Sequence, residues 1–175
     1  MELAAIAISV LALFFAAGSF YWLNARRGSL TAVVPEVYAF VEGFRLRLPV
    51  AFLNDGAIPL LVSDLRIEIV GAGHFAWLTT RSVIRPEEED GFAFAVPFTV
   101  PGRGTAHLIA EFGDNDPWLP KPGSMHQLII EARVHPHDGW KEIVSFPWWA
   151  PPTEEIMCRY IAHRNEPREE SASPG

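Results

Sequence analysis

The chain is short of the features that staple small domains or furnish active sites. It has one cysteine, Cys158, in 175 residues, which excludes an intrachain disulfide and fits a reducing compartment. Positive charge is scarce: 14 Lys and Arg against 21 Asp and Glu leave a formal net charge of −7. That balance speaks against nucleic acid as a partner, because such binding needs a positive footprint. It speaks equally against a peripheral domain held on anionic head groups. No nucleophile-elbow, phosphate-loop or paired-glycine nucleotide motif occurs, and there is no internal repeat. With 15 prolines, 13 glycines and 12 phenylalanines, the composition predicts short elements joined by turns rather than long helices.

One stretch lacks charge altogether. Leu3 to Leu23 is a run of 21 uncharged residues, and as a helix it would rise ~31 Å, about the thickness of a hydrocarbon core. Leu3, Leu11, Phe14 and Phe15 are typical of its apolar body, and Tyr21 and Trp22 stand where an interfacial aromatic belt belongs. Arg26 and Arg27 follow as a stop at the head groups. The reading is a single-pass anchor, residues 1–27, with the lipid bilayer as partner through residues 3–23. A cleaved signal peptide is the alternative, with Ala16-Ala17-Gly18 as small residues at a cleavage site. Against it, Glu2 and the absence of Lys or Arg before the run spoil the expected leading segment, and apolar residues continue to Leu23. A buried core helix fits less well, since the run has no polar face. The arginine pair after the helix places the C-terminal domain in the cytoplasm by the positive-inside rule, the outward arrangement being the alternative. Asn24 to Ser29 leaves a link that reaches at most ~20 Å, so the domain sits close to the bilayer.

From residue 28 to 150 the dominant period is two. Phe44, Leu46, Leu48, Val50 and Phe52 alternate with their neighbours, as do Leu65, Ile67 and Ile69. Phe92, Phe94, Val96, Phe98 and Val100 share one parity, and so do Leu128, Ile130, Ala132 and Val134. This is the pattern of half-buried antiparallel strands. Turn signals at Asn54-Asp55-Gly56, Gly71-Ala72-Gly73, Pro101-Gly102, Pro122-Gly123 and Asp138-Gly139 separate them. They delimit about eight strands: 31–41, 44–54, 60–70, 74–80, 91–100, 104–112, 125–134 and 140–148. The expected fold is mainly β, an antiparallel two-sheet sandwich after one transmembrane helix, with a small closed barrel as runner-up. Residues 151–175 form a tail, with a short helix expected from Thr153 to about His163 and disorder beyond Asn165.

Phe52-Leu53-Asn54-Asp55-Gly56, Pro59-Leu60-Leu61-Val62 and Asp64-Leu65-Arg66-Ile67 together resemble the strand–turn–strand of bacterial immunoglobulin-like or fibronectin-III-like domains. Ile84-Arg85-Pro86-Glu87-Glu88, ahead of the strand that ends at Val100, is similar to their proline-marked turn. The paired cysteines of antibody-type domains are missing. The resemblance, to bacterial single-pass membrane proteins carrying such a sandwich, implies an immunoglobulin-like fold and no particular activity.

Candidate chemistry is sparse. His135-Pro136-His137-Asp138 puts two imidazoles at alternate positions with a carboxylate to orient one, and His107 or His126 could add a third metal ligand; the plainer reading is a polar turn. Asp114-Asn115-Asp116 lacks the further acids of a calcium loop. The run Glu87-Glu88-Glu89-Asp90 has no apolar break and reads as a solvated turn. Cys158 has no base at helical spacing on its face. No cofactor is called for. The aromatic residues Trp148 and Trp149, with Trp118 and Trp140, point to an interaction surface, or to a core that the tail covers through Ile156 and Tyr160. The function expected is therefore a non-catalytic interaction or structural module at the membrane surface, with another membrane or membrane-associated protein as partner. The alternatives are a ligand-binding sensor or transport-associated domain and, further off, a metal-dependent enzyme.

Overall fold

The computed structural model describes residues 2–41, 45–85, 90–113, 119–151 and 161–165. Helix α1 spans Glu2–Phe20 and runs on through a π-helical turn at Tyr21–Ala25. Together they make a span of 24 residues, none of it buried against the domain. Its length and composition suffice to cross a membrane, a test that a signal sequence also passes. Leu3, Leu11, Phe14, Phe15, Tyr21 and Trp22 are all exposed on it.

Among the described residues eleven strands follow: β1 Leu30–Val33, β2 Val37–Val41, β3 Arg45–Asn54, β4 Leu60–Ile69, β5 Gly73–Arg81, β6 Phe92–Phe94, β7 Phe98–Val100, β8 Thr105–Gly113, β9 Met125–Val134, β10 Trp140–Trp149 and β11 Ile161–Arg164. Six of the eight expected strands stand almost as read. The expected strand 31–41 breaks at Val34-Pro35-Glu36, where proline cannot donate to a ladder. The pieces on either side, β1 and β2, both pair with β3. The expected strand 91–100 breaks at Ala95-Val96-Pro97, so that β6 pairs with β5 while β7 pairs with β4.

All pairings are antiparallel, and they link the strands into one sheet in the order β10-β9-β4-β5-β8-β3-β2-β11. This corrects the immunoglobulin-like two-sheet sandwich: the architecture is a single, nearly closed, barrel-like sheet. The physical cause lies in β5. Its first residues pair with β4 up to Ala76, a register shift falls between Trp77 and Thr79, and its second half pairs with β8. A bulge of this kind bends the strand and increases its twist, and here it carries the ladder round a corner that would otherwise separate two sheets.

The two ends of the sheet meet through side chains. The Tyr38 hydroxyl on β2 donates to the carbonyl of Trp149 on β10. Asn165, just past β11, accepts from the Trp149 backbone N–H at 3.2 Å and donates to the Pro147 carbonyl at 2.8 Å. Inside lies one core in which Phe40, Phe52, Phe112 and Trp148 are fully enclosed. Alternation along β3 supplies it with Leu46, Leu48, Val50 and Phe52, as the sequence period predicts.

The expected tail helix falls mostly on residues 152–160, outside the described residues. Its last residues are strand instead: β11 pairs antiparallel with β2, Ile161 opposite Phe40 and Arg164 opposite Val37. The edge of β2 offers unpaired backbone groups that a tail strand satisfies directly, an outcome that local helix signals do not register.

Candidate functional site

Three places concentrate polar or aromatic groups, and each grows from a local turn or break in the sheet. The first is the base of the domain, where the helix arrives. Asn54 ends β3 and is buried; its side chain accepts from the Gly56 N–H at 2.9 Å and donates to the carbonyls of Ile58 and Pro101 at 2.9 and 3.1 Å. The turn it holds grips the link from the helix. The Arg26 carbonyl accepts the Ala57 N–H at 2.8 Å, and the Arg26 guanidinium meets Asp55 at 2.8 Å while lying 4.5 Å from the Trp22 ring. Asp55 also takes the Ser29 N–H at 2.5 Å, and Arg103 donates to the Trp22 carbonyl.

Two glycines make this approach possible. A Cβ on Gly56 would lie 2.0 Å from the Gly28 nitrogen, so neither strand of the contact tolerates a side chain. The Ser29 N–H, followed by the Ser29 hydroxyl and Arg26, holds the Asp55 carboxyl below the usual carboxylate range. The helix is therefore stapled to the domain, where the sequence alone indicated only a short link. Arg26, expected as a stop residue, is also a structural partner; Arg27 is exposed.

The second place is the aromatic seam that closes the sheet. Trp148 stacks edge-on to Tyr38 at 5.6 Å and lies 6.1 Å from Phe40 and 6.0 Å from His126. Burial pushes the Tyr38 phenol up and the His126 imidazole down, each toward its neutral form. As interaction candidates the two tryptophans part company. Trp148 has no exposed surface and is core, whereas Trp149 is half-buried with its backbone tied to Tyr38 and Asn165. Trp118, Ile156 and Tyr160 lie outside the described residues.

The third place is β6 and the ground beneath it. Arg47 on β3 points to the outer face of the sheet yet is only 1% exposed, because the segment after β5 lies over it. Its Nε meets Glu111 at 2.8 Å, and its terminal nitrogens meet Asp90 at 2.9 Å and the Val83 carbonyl at 3.1 Å. Arg81 bonds Glu111 at 2.9 Å and approaches Asp90 at 3.5 Å. Two guanidiniums and two carboxylates thus balance one another under cover, which is how buried charge is tolerated. Asp90, expected in a solvated turn, is instead a pin of this network.

Above it β6 turns its apolar side outward: Phe92 is 62% and Phe94 76% exposed, and Val96 in the break that follows is 56% exposed. The Phe92 and Phe94 rings meet edge to face at 6.4 Å, and Arg81 lies 5.1 Å from the Phe92 ring. The shared parity of residues 92–100 suggested one inward face; only Phe98 and Val100 turn toward the core, since Pro97 breaks the strand between the two sets. The break at Ala95-Val96-Pro97 was the signal that could have located this patch.

His135, His137 and Asp138, weighed from sequence as metal candidates against the plainer reading of a polar turn, join no group of three ligand residues among the described residues. His135, His137 and Asp138 are exposed in the β9–β10 turn, with the His137 N–H on the Val134 carbonyl. His107 is exposed on β8, and His126 points to Trp148, 2.7 Å from the Ser124 hydroxyl. Among the described residues, the one His and carboxylate group close enough to share an ion is Glu68, His74 and Glu131.

No protein-family model matches the chain, and no curated protein matches it either. Among solved structures, the alkylpurine DNA glycosylase AlkC of Pseudomonas fluorescens, bound to DNA containing an abasic site analog, is similar over 70% of this chain, with 18% identity and a TM-score of 0.37. The chain spans only 30% of that protein's length. A protein from Archaeoglobus fulgidus is similar over 79% of this chain and 96% of its own, with 14% identity and a TM-score of 0.30. The exclusion of nucleic acid drawn from net charge does not stand beside the DNA-bound structure and is corrected on that finding. At these scores neither likeness carries a statement about what this chain binds.

Proposed function

We propose that this chain is a single-pass membrane protein whose β domain is a non-catalytic interaction module held at the membrane surface. The observation that carries the reading is the outward-facing Phe92 and Phe94 on the short strand β6, continued by the exposed Val96 in the break after it. Exposed aromatics grouped on one element are where partners gain most of their binding energy. The partner's chemistry follows from the neighbourhood. Glu87, Glu88 and Glu89 precede the patch in the chain, and Glu89 is within ~11 Å of chain from Phe92. A protein segment offering an apolar side chain flanked by Lys or Arg fits both features. The arginine pair after the helix supports a cytoplasmic domain.

A photocrosslinking residue placed at Phe94 of the full-length protein in native membranes tests the reading, with the same residue at the exposed Glu142 on β10 as control. The expected result is a discrete adduct from Phe94 alone, lost on Phe92→Ser with the domain still folded. Identical patterns from both positions, or none from Phe94, would overturn it. Protease access to a C-terminal tag in intact and opened cells decides the orientation.

A further inference from the structure

We propose that Glu68 on β4, His74 on β5 and Glu131 on β9 form a zinc site on the outer face of the sheet. Nothing in the proposed interaction role requires it, and it rests on separate observations.

The three residues come from three strands that the register places side by side. Glu68 is opposite His74 across the β4–β5 ladder, and Glu131 is opposite Arg66, two residues before Glu68 on the same strand. All three therefore project from one face. The His74 Nε2 lies 3.8 Å from Glu68 Oε2 and 3.6 Å from Glu131 Oε2, and one ligand atom from each residue falls within 4.8 Å of the others.

These spacings are informative. They exceed a hydrogen bond, and a single Nε2 can face only one acceptor at a time through its proton. Ligand atoms placed tetrahedrally at ~2.0–2.2 Å around one zinc stand about 3.4 Å apart. The observed gaps are thus of the size one ion spans. One imidazole and two carboxylates are an acceptable set for zinc, and three protein ligands leave a position for water or another donor.

The surroundings fix one ligand in place. Arg66 Nε bonds Glu131 Oε2, the oxygen that approaches His74, at 2.6 Å and so fixes that carboxylate in place. Arg66 is itself held with its guanidinium 4.4 Å from the Trp140 ring. A ligating carboxylate that is hydrogen-bonded from behind is the usual outer support of a metal site. Glu131 is the least exposed of the three, with 15% of its side chain accessible, and His74 at 46% supplies the open side through which an ion enters.

Equilibrium dialysis of the chelator-treated full-length protein in mild detergent against zinc tests the proposal. One zinc per chain is expected. His74→Ala and Glu131→Gln should each weaken binding at least tenfold, and Arg66→Met roughly tenfold, within the range seen for outer-shell partners. His137→Ala should leave binding unchanged. Circular dichroism of the variants confirms the fold, and His74, being half-exposed, is a safe position for alanine. Absence of saturable zinc binding by the wild type would overturn the site. So would binding that survives His74→Ala but is lost with His137→Ala, which would place the ion in the β9–β10 turn.

Discussion

The base of the domain and the β6 edge treat exposed surface in opposite ways. At the base the turn groups pair with one another: Asn54 closes the loop, Asp55 and Arg26 pair, and Gly28 and Gly56 let two backbones touch. At β6 the polar groups are buried beneath and the aromatics are left outside. A region that satisfies itself fixes geometry, and a region that leaves Phe92 and Phe94 in water retains surface for something else. The fold spends its buried charges under the strand that presents the aromatics, so the two properties can be separated by mutation.

The largest effect should come from the buried charges. Glu111→Ala leaves Arg47 and Arg81 with Asp90 as the one remaining carboxylate of the pair they share, and it should cost about 3–5 kcal/mol. Denaturant unfolding of the full-length protein in detergent would show this as a midpoint shift. Arg47→Met together with Glu111→Leu removes both charges and should recover part of that loss. Next in size is the base: Gly56→Ala forces a Cβ into the Gly28 backbone and should cost about 1–3 kcal/mol. A double change at Gly56 and Glu111 should be additive, because the two regions share no partner.

The sequence disclosed the elements well and their closure poorly. Strands β3, β4, β5, β8, β9 and β10 fall where period two and turn residues place them, because each has one face on the core. What escaped depends on contacts between distant segments. A register shift after Trp77 turns two expected sheets into one, and nothing in the alternation of residues 73–81 announces it. Arg47 reads as an outward polar residue and Asp90 as the end of a solvated acidic run; only the chain folding over β3 makes them partners. Glu68, His74 and Glu131 are spread over 64 positions in sequence and meet through strand order alone. His135 and His137, close in sequence, stay in a turn and join no such group among the described residues.

A smaller effect separates the staple from the fold. Asp55 is depressed in the folded chain, so its contribution is present above the unfolded carboxylate range and is lost as pH falls through its folded value. Acidification below about pH 4, or Asp55→Ala at neutral pH, should therefore release the link while the sheet persists. At neutral pH the readout for Asp55→Ala is trypsin cleavage after Arg26 or Arg27, which should speed up several-fold with the far-ultraviolet dichroism of the β domain unchanged. Unchanged cleavage would mean that the backbone contacts of Arg26 hold the junction without the carboxylate.

The smallest change in stability should come from the most exposed residues. Phe92→Ser and Phe94→Ser remove side chains that are 62% and 76% in water, so each should alter unfolding free energy by no more than about 1 kcal/mol. The Phe92 change removes the edge contact with Phe94 and the Arg81 guanidinium over the ring, the latter worth about 0.5–1 kcal/mol at an exposed site. If either variant is instead destabilised by about 2 kcal/mol or more, the rings are covering the buried charges rather than awaiting a partner. A stable Phe92→Ser, Phe94→Ser double variant that loses the adduct expected at this edge would show the opposite. The aromatics would then matter to binding and not to folding, while the base of the same domain would matter to folding and not to binding.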